Sequence, residues 1–358
     1  MRKTTYSFKS CYVFTLKICM TTTQNIHSDY ELHTEIAKLC SEYQESFKTI
    51  TRQYAFFHIV FFLITLIELS ILVLFFTFLT KPAVIAFTLA GIFLTTFSYF
   101  MLHFYFQAKK PQQMQDMHNQ FIQDCIHHIS SSHDLAEYHL FLSQALHIFL
   151  NTFSYQELQY YSLPLQSKAI SSLMEKFSVW MHWKDLYLMK EKILFSIIEQ
   201  HIEYVKLYPT DLQAHVGLGK AYLELANLYC HPDKIYEKKL PWISPEYNSE
   251  ELQTKFTKSC YRAIEEFHIL DAYSPENPWV HVQLAGIYHN LDEPLKEIEH
   301  YEKVLAVVEK EEQILLRLGT LYFQNGASAK GLQLYEKLKQ ISEQAATELL
   351  SQYGSFSL

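Results

Sequence analysis

From Ala55 to Leu79 the chain runs for 25 residues, 19 of them Phe, Ile, Leu or Val. At 1.5 Å per residue such a helix spans roughly 37 Å, enough to cross a ~30 Å hydrocarbon core with some tilt. Thr80, Lys81 and Pro82 break the run, and Ala83 to Phe106 follows without a charged residue. Neither segment has a polar face, so the pattern predicts a two-helix transmembrane hairpin over 55–106 rather than two core helices of a soluble protein. In the preceding segment, 1–54, the spacing of Ile36, Leu39, Tyr43, Phe47 and Ile50 predicts a juxtamembrane amphipathic helix. Residues 107–184 read as helices that fit no repeat, with breaks near Ser130 and Pro164. Residues 185–358 read as a helical array. The expected fold is all-α: a transmembrane hairpin followed by a cytosolic solenoid.

Glu68 lies near the middle of the first span. A charged residue there costs about 3 kcal/mol on insertion scales, whereas each Leu, Ile, Phe or Val returns roughly 0.3 to 0.6, so insertion survives it. Two readings stand. Glu68 hydrogen-bonds a hydroxyl of the second helix, with Thr95, Thr96 and Ser98 in range, or it marks an ion-coupled or proton-relay site. Lys48 and Arg52 precede the first span, Lys109 and Lys110 follow the second, and the turn carries only Lys81. That bias predicts both termini in the cytoplasm, as for an integral protein of a bacterial inner membrane. The first nineteen residues have a basic start, but Lys9 and Lys17 interrupt their apolar stretch, and Met20 opens a more ordinary N-terminus. We expect residues 1–19 to be an over-extended start.

The C-terminal part repeats a spaced signature. His215, Leu218, Gly219 and Tyr222 are echoed by His281, Leu284, Ala285 and Tyr288, and again by Leu315, Leu318, Gly319 and Tyr322, the last two sets 34 residues apart. A second helix follows each: Ala263, Phe267, Leu270 and Pro275; then Glu297, Tyr301 and Val304; then Gly331, Tyr335 and Leu338. Over about 185–345 this resembles the tetratricopeptide repeat family, whose unit is a 34-residue helix pair. The resemblance implies that the small residues Gly219, Ala285 and Gly319 let helices approach while the Leu and Tyr positions fill the adjoining groove. It also makes Ile197, His201, Tyr204 and Pro209 the second helix of a weaker unit. About 32 extra residues between Tyr222 and Ala263, centred on 230–253 and including Trp242, form an insertion within one pair, and the segment after 345 is expected to cap the array.

Only 8 Gly and 10 Pro in 358 residues argue against a turn-rich β architecture. The net charge of −8 leaves no basic footprint for nucleic acid. Six scattered cysteines suit a reducing compartment and predict no disulfide framework. Cys125, His127, His128, His133 and His139 are the densest set of possible metal ligands, but they contain neither CxxC nor HExxH spacing, so no metal or cofactor is expected. No nucleophile elbow, phosphate-cradling loop or paired-carboxylate motif is visible, and no enzyme is expected.

Binding is the chemistry that is left. Arrays of this family present a concave surface lined by the first helix of each pair. The carboxylate-reading mode of the family would need Lys and Asn at positions occupied by Val216, Lys220, Val282, Gly286, Leu316 and Thr320, of which only Lys220 suits it. Lys220, Trp279, Gln283, His289, Arg317 and Phe323 are the predicted groove residues, suited to an apolar or aromatic peptide held by one Arg anchor. Packing between repeats would use the aromatic ones equally well. The expected function is a membrane-anchored scaffold or adaptor that recruits a protein or peptide partner. An alternative follows from the hairpin, which resembles the bilobed hydrophobic domain of inclusion membrane proteins that intracellular bacteria secrete into a host vacuole. The array would then hold a host factor. A third reading, an ion-coupled membrane enzyme or transporter, rests on Glu68 alone.

Overall fold

A computed structural model of the chain describes residues 26–74, 82–129, 135–154, 156, 168–235 and 242–354. Expectations on the chain start, the Lys81 turn, the breaks near Ser130 and Pro164, and His133 lie outside the described residues. Within them every regular element is helical. The chain forms two compact units, residues 1–200 with 232–245, and residues 201–231 with 246–358. The middle of the sequence insertion thus belongs to the first unit.

In the first unit α1 (Ile26–Leu74) and α2 (Pro82–Ile129) are long continuous helices. The expected separate juxtamembrane helix is therefore the first half of α1, and it faces protein. Ile36 and Phe47 are fully buried. Their cover is α2 and α3 (Leu135–Thr152) with the turn that follows it: Phe121 stacks on Phe149 at 4.2 Å between ring centroids, and Phe47 meets Phe153 of that turn edge-on at 5.1 Å. The apolar halves of α1 and α2 contrast with this core. Each is long and apolar enough to cross a membrane, with mean hydropathy 2.5 and 1.8 over its most apolar window, and none of either window is buried. Polar links tie the two helices along their length: the Tyr54 hydroxyl donates to Gln113 at 2.6 Å, and the Thr95 hydroxyl donates to Glu68 at 2.6 Å. Helix α4 (Lys168–Leu207) buries Leu186, Ile193 and Ile197 and is tied to α3 by the His139 Nδ1–Gln200 Oε1 contact at 2.8 Å. Trp242 of the 242–245 segment lies edge-on to Trp183 of α4 at 6.4 Å.

The second unit is built from helix pairs. Helix α5 (Leu212–Tyr229) pairs with α7 (Glu250–Tyr273), while the short α6 (Pro232–Ile235) lies in the insertion. Helix α8 (Pro278–Asn290) pairs with α9 (Pro294–Val307), and α10 (Glu312–Gln324) with α11 (Ser328–Lys339). The last helix, α12 (Glu343–Ser351), follows. The starts follow from local chemistry. Asp211, Asn277 and Ser342 accept backbone N–H groups at the heads of α5, α8 and α12, and proline opens α8 and α9, where its missing N–H costs nothing. The turns within the last two pairs are equivalent. Asp292 (φ 58°) and Gly326 (φ 76°) occupy the left-handed region, which lets Glu293 N–H reach Tyr288 O and Ala327 N–H reach Tyr322 O.

The small signature residues do admit close neighbours, but not always the paired helix. A methyl group on Gly219 would come within 3.3 Å of Glu266 and Phe267 in α7, its own partner helix. On Gly319 it would meet Leu349 of α12 at 2.6 Å, so this glycine opens toward the following helix. The close approach within the α10–α11 pair is made instead by Gly331, where a methyl group would overlap the Phe323 ring. Leu218, Leu284, Ala285, Tyr288, Leu318 and Tyr322 are all buried, and Tyr222 packs half-buried on the cluster that holds Leu284 and Tyr288.

Candidate partner-binding groove

The six predicted groove residues separate into three environments. Lys220 of α5 and Trp279 of α8 are brought together, with Lys220 Nζ 5.3 Å from the Trp279 ring centre. Trp279 is half-buried and rests edge-on against Phe267 at 5.9 Å, which holds its outer face in place for the cation. Burial lowers the Lys220 ammonium from its ordinary range, and Glu224 one turn on opposes that shift. Gln283 lies one turn beyond Trp279 on α8 and is half-buried. These three predicted groove residues, from two first-of-pair helices, are all half-buried, and His289 stays partly exposed as well.

Arg317 is already engaged. Its Nε donates to Glu297 Oε1 at 2.8 Å, and its Nη2 reaches Glu297 Oε2 at 3.2 Å and His289 Nδ1 at 2.6 Å. Burial raises the Glu297 carboxyl, but His289 beside it and the hydrogen bonds and charge of Arg317 outweigh it and hold the group below its ordinary range. The side chain of Glu297 is 2% exposed. A guanidinium committed to a buried carboxylate from α9 is a structural brace, and the expectation of a free Arg anchor is corrected accordingly. Phe323 is corrected as well. It is 5% exposed, it meets Tyr353 edge-on at 5.3 Å, and it covers Gly331. Of the four α8 and α10 positions considered for carboxylate reading, Gly286, Leu316 and Thr320 are also buried, and Val282 is half-buried.

The structure also gives the two signature histidines a role. His215 Nε2 donates to the carbonyl of Pro209 at 3.0 Å, and His281 Nε2 donates to that of Pro275 at 2.8 Å. Each proline precedes the cap residue, Asp211 or Asn277, so the side chain braces the turn that enters its own helix. Sequence reasoning noted these histidines without seeing the link. The signal was present: Pro, two residues to Asp or Asn, and four more to His recur at 209–215 and 275–281. The second nitrogens differ. His215 Nδ1 pairs with Glu266 at 2.6 Å, whereas His281 Nδ1 faces His300 Nδ1 at 3.2 Å. One proton bridges the latter pair, and burial pushes His300 down to about 4. Cys125, His127, His128 and His139 do not converge, and no cluster of metal-ligating side chains occurs among the described residues. Cys125 is buried with its thiol pushed up to about 12, chiefly by burial.

No family model matches this chain, and no curated protein matches it. Among solved structures it is similar to a thermophilic TPR protein of Thermus thermophilus, with 15% identity and a TM-score of 0.31 over 61% of this chain and 98% of that one. A likeness at that score decides nothing about the fold here, and the pairing of helices rests on this chain's own contacts. The hairpin's resemblance to inclusion membrane proteins draws no support from these matches.

Proposed function

We propose that the chain is a membrane-anchored scaffold whose helical array holds an extended protein segment at the Lys220–Trp279 pair. The observation that carries the reading is the pair of apolar helix halves with none of their most apolar windows buried, in a chain whose other helices bury ordinary cores. A surface of that size has no reason to face water, and a hydrocarbon layer satisfies it. Lys48, Arg52, Lys109 and Lys110 at the outer ends of the spans favour a cytoplasmic array. At the groove, a half-buried lysine over an indole face suits a carboxylate or backbone carbonyl beside an apolar side chain. Reporter fusions at residues 45, 81 and 358 should read inside, outside, inside, and an outside signal at 358 overturns the orientation. For the groove, a photo-crosslinking residue at Gln283 should capture a protein partner in cells, and Trp279→Ala should abolish the adduct without loss of helical signal. An adduct that survives Trp279→Ala overturns the groove.

A further inference from the structure

Helix α4 carries apolar side chains that the fold leaves uncovered, and its register against α2 places them beside the apolar spans. Lys110 Nζ of α2 meets Asp185 Oδ2 of α4 at 2.5 Å, and His118 Nε2 of α2 meets Ser196 Oγ of α4 at 2.8 Å. The two helices therefore run in the same direction, with 11 residues of α4 alongside 8 of α2. Lys110 and Arg52, the flanking cations of the two spans, are the charges that act on His182. This segment of α4 thus lies at the level where the apolar run ends. Carried back in the same proportion, Trp180, five residues before Asp185, falls about four residues before Lys110, beside Phe106. Leu173, twelve residues before Asp185, falls about nine residues before Lys110, near Met101. At 1.5 Å per residue that is about 7 Å inside the end of the apolar run.

We propose that three turns near the start of α4, residues 171–181, dip into the headgroup and upper acyl region of the bilayer as a third, non-spanning membrane contact. Leu173 is 68% exposed and Trp180 55% exposed, and with Phe177 they share one stripe of the helix at i, i+4 and i+7 spacing. Interfacial helices bury their apolar face by about 5–10 Å, the depth reached here, and Trp is enriched at that level. Lys176 is exposed two turns before Lys184, with a stem long enough to return its ammonium to the headgroups. Phe104 and Tyr105 of the second span are themselves exposed, at the level that the register assigns to Trp180. The inference rests on the membrane reading of the hairpin.

The test uses the full chain in phosphatidylcholine vesicles brominated either at acyl carbons 6 and 7 or at carbons 11 and 12, with tryptophan quenching as the signal. Phe93, an exposed residue within the second span, is replaced by Trp as a reference for the hairpin. Deep bromines should quench the Phe93→Trp emission. Shallow bromines should quench the wild-type protein, and Trp180→Phe should remove half or more of that quenching. If the Phe93 reporter is quenched but wild type and Trp180→Phe respond identically to shallow bromines, the hairpin stands and the α4 contact is overturned. The stripe, which continues at Leu188 and Phe195, would then face a protein. If the Phe93 reporter is not quenched, the membrane reading falls and the α4 contact with it.

Discussion

The imidazole of His281 holds the carbonyl of Pro275, six residues earlier, with an Nε2–O distance of 2.8 Å. The bond joins the first helix of one pair to the turn that leaves the pair before it, and His215 repeats it on Pro209. His281→Phe keeps the ring but leaves that carbonyl and His300 Nδ1 without partners. A buried polar group deprived of its partner costs about 1–3 kcal/mol, so the variant should lower the stability of the second unit by that order in urea unfolding. An unchanged midpoint would show that the brace contributes nothing.

Arg317 and Glu297 make a second decisive pair. Removing one partner of a buried ion pair costs about 3–5 kcal/mol because the other charge is stranded, whereas replacing both by uncharged groups is often nearly neutral. Arg317→Met should therefore destabilise the array strongly, and Arg317→Met with Glu297→Gln should recover most of the loss. Thermal unfolding of the two variants checks the order. Loss of partner binding in Arg317→Met alone would report unfolding of α8–α10, not a lost contact.

The glycines give a ranked series. An added methyl group on Gly331 overlaps Phe323, on Gly319 it crowds the flexible end of Leu349, and on Gly219 it comes within 3.3 Å of Glu266 and Phe267, tight but short of overlap. Overpacking a core costs about 1–3 kcal/mol. Gly331→Ala should lie at the top of that range, Gly319→Ala lower, and Gly219→Ala near zero. Denaturant midpoints in any other order would show that the helices shift to absorb the methyl group.

Acid should loosen both units. Burial pushes His118, His182 and His300 down to about 4. The ordinary imidazole value is about 6.5, so between these values the unfolded chain binds protons that the folded chain refuses. Stability from these groups is present above about pH 6.5 and is lost as the pH falls toward 4, by about 3 kcal/mol per histidine at the limit. His215 has the opposite sign. Burial lowers it, but hydrogen bonds to Glu266 and Pro209 and the Glu266 charge outweigh that, so its contribution is present at low pH and lost as the pH rises through its raised value. Hydrogen exchange of the α8 and α9 amides, corrected for intrinsic rates, should accelerate from pH 6.5 to pH 4.5. His300→Phe should weaken that dependence.

Much of the fold was legible in the chain before any coordinates. An unbroken apolar run has one physical meaning at each residue, so the two apolar stretches could be recognised from composition alone, although each is only half of a longer helix. The 34-residue offset of the signature sets places small residues against neighbouring helices whatever else surrounds them, and Gly219, Ala285 and Gly319 are buried as that pattern requires. Helix starts at Asp211, Asn277 and Ser342 are likewise local, since each cap bonds a backbone N–H two or three residues away.

What tertiary structure decided is which side chains remain available. Arg317, read from sequence as an anchor, is consumed by Glu297 twenty residues earlier. Phe323, placed by helical phase in a groove, is sealed by Gly331 and Tyr353. Trp242 lies 59 residues from Trp183 along the chain, and their contact assigns part of the insertion to the first unit. In each case the partner comes from another helix at a separation that no local period encodes. Helical phase says which way a residue points from its own axis, but only the packed neighbour determines whether that direction leads to solvent, to lipid or to a buried carboxylate.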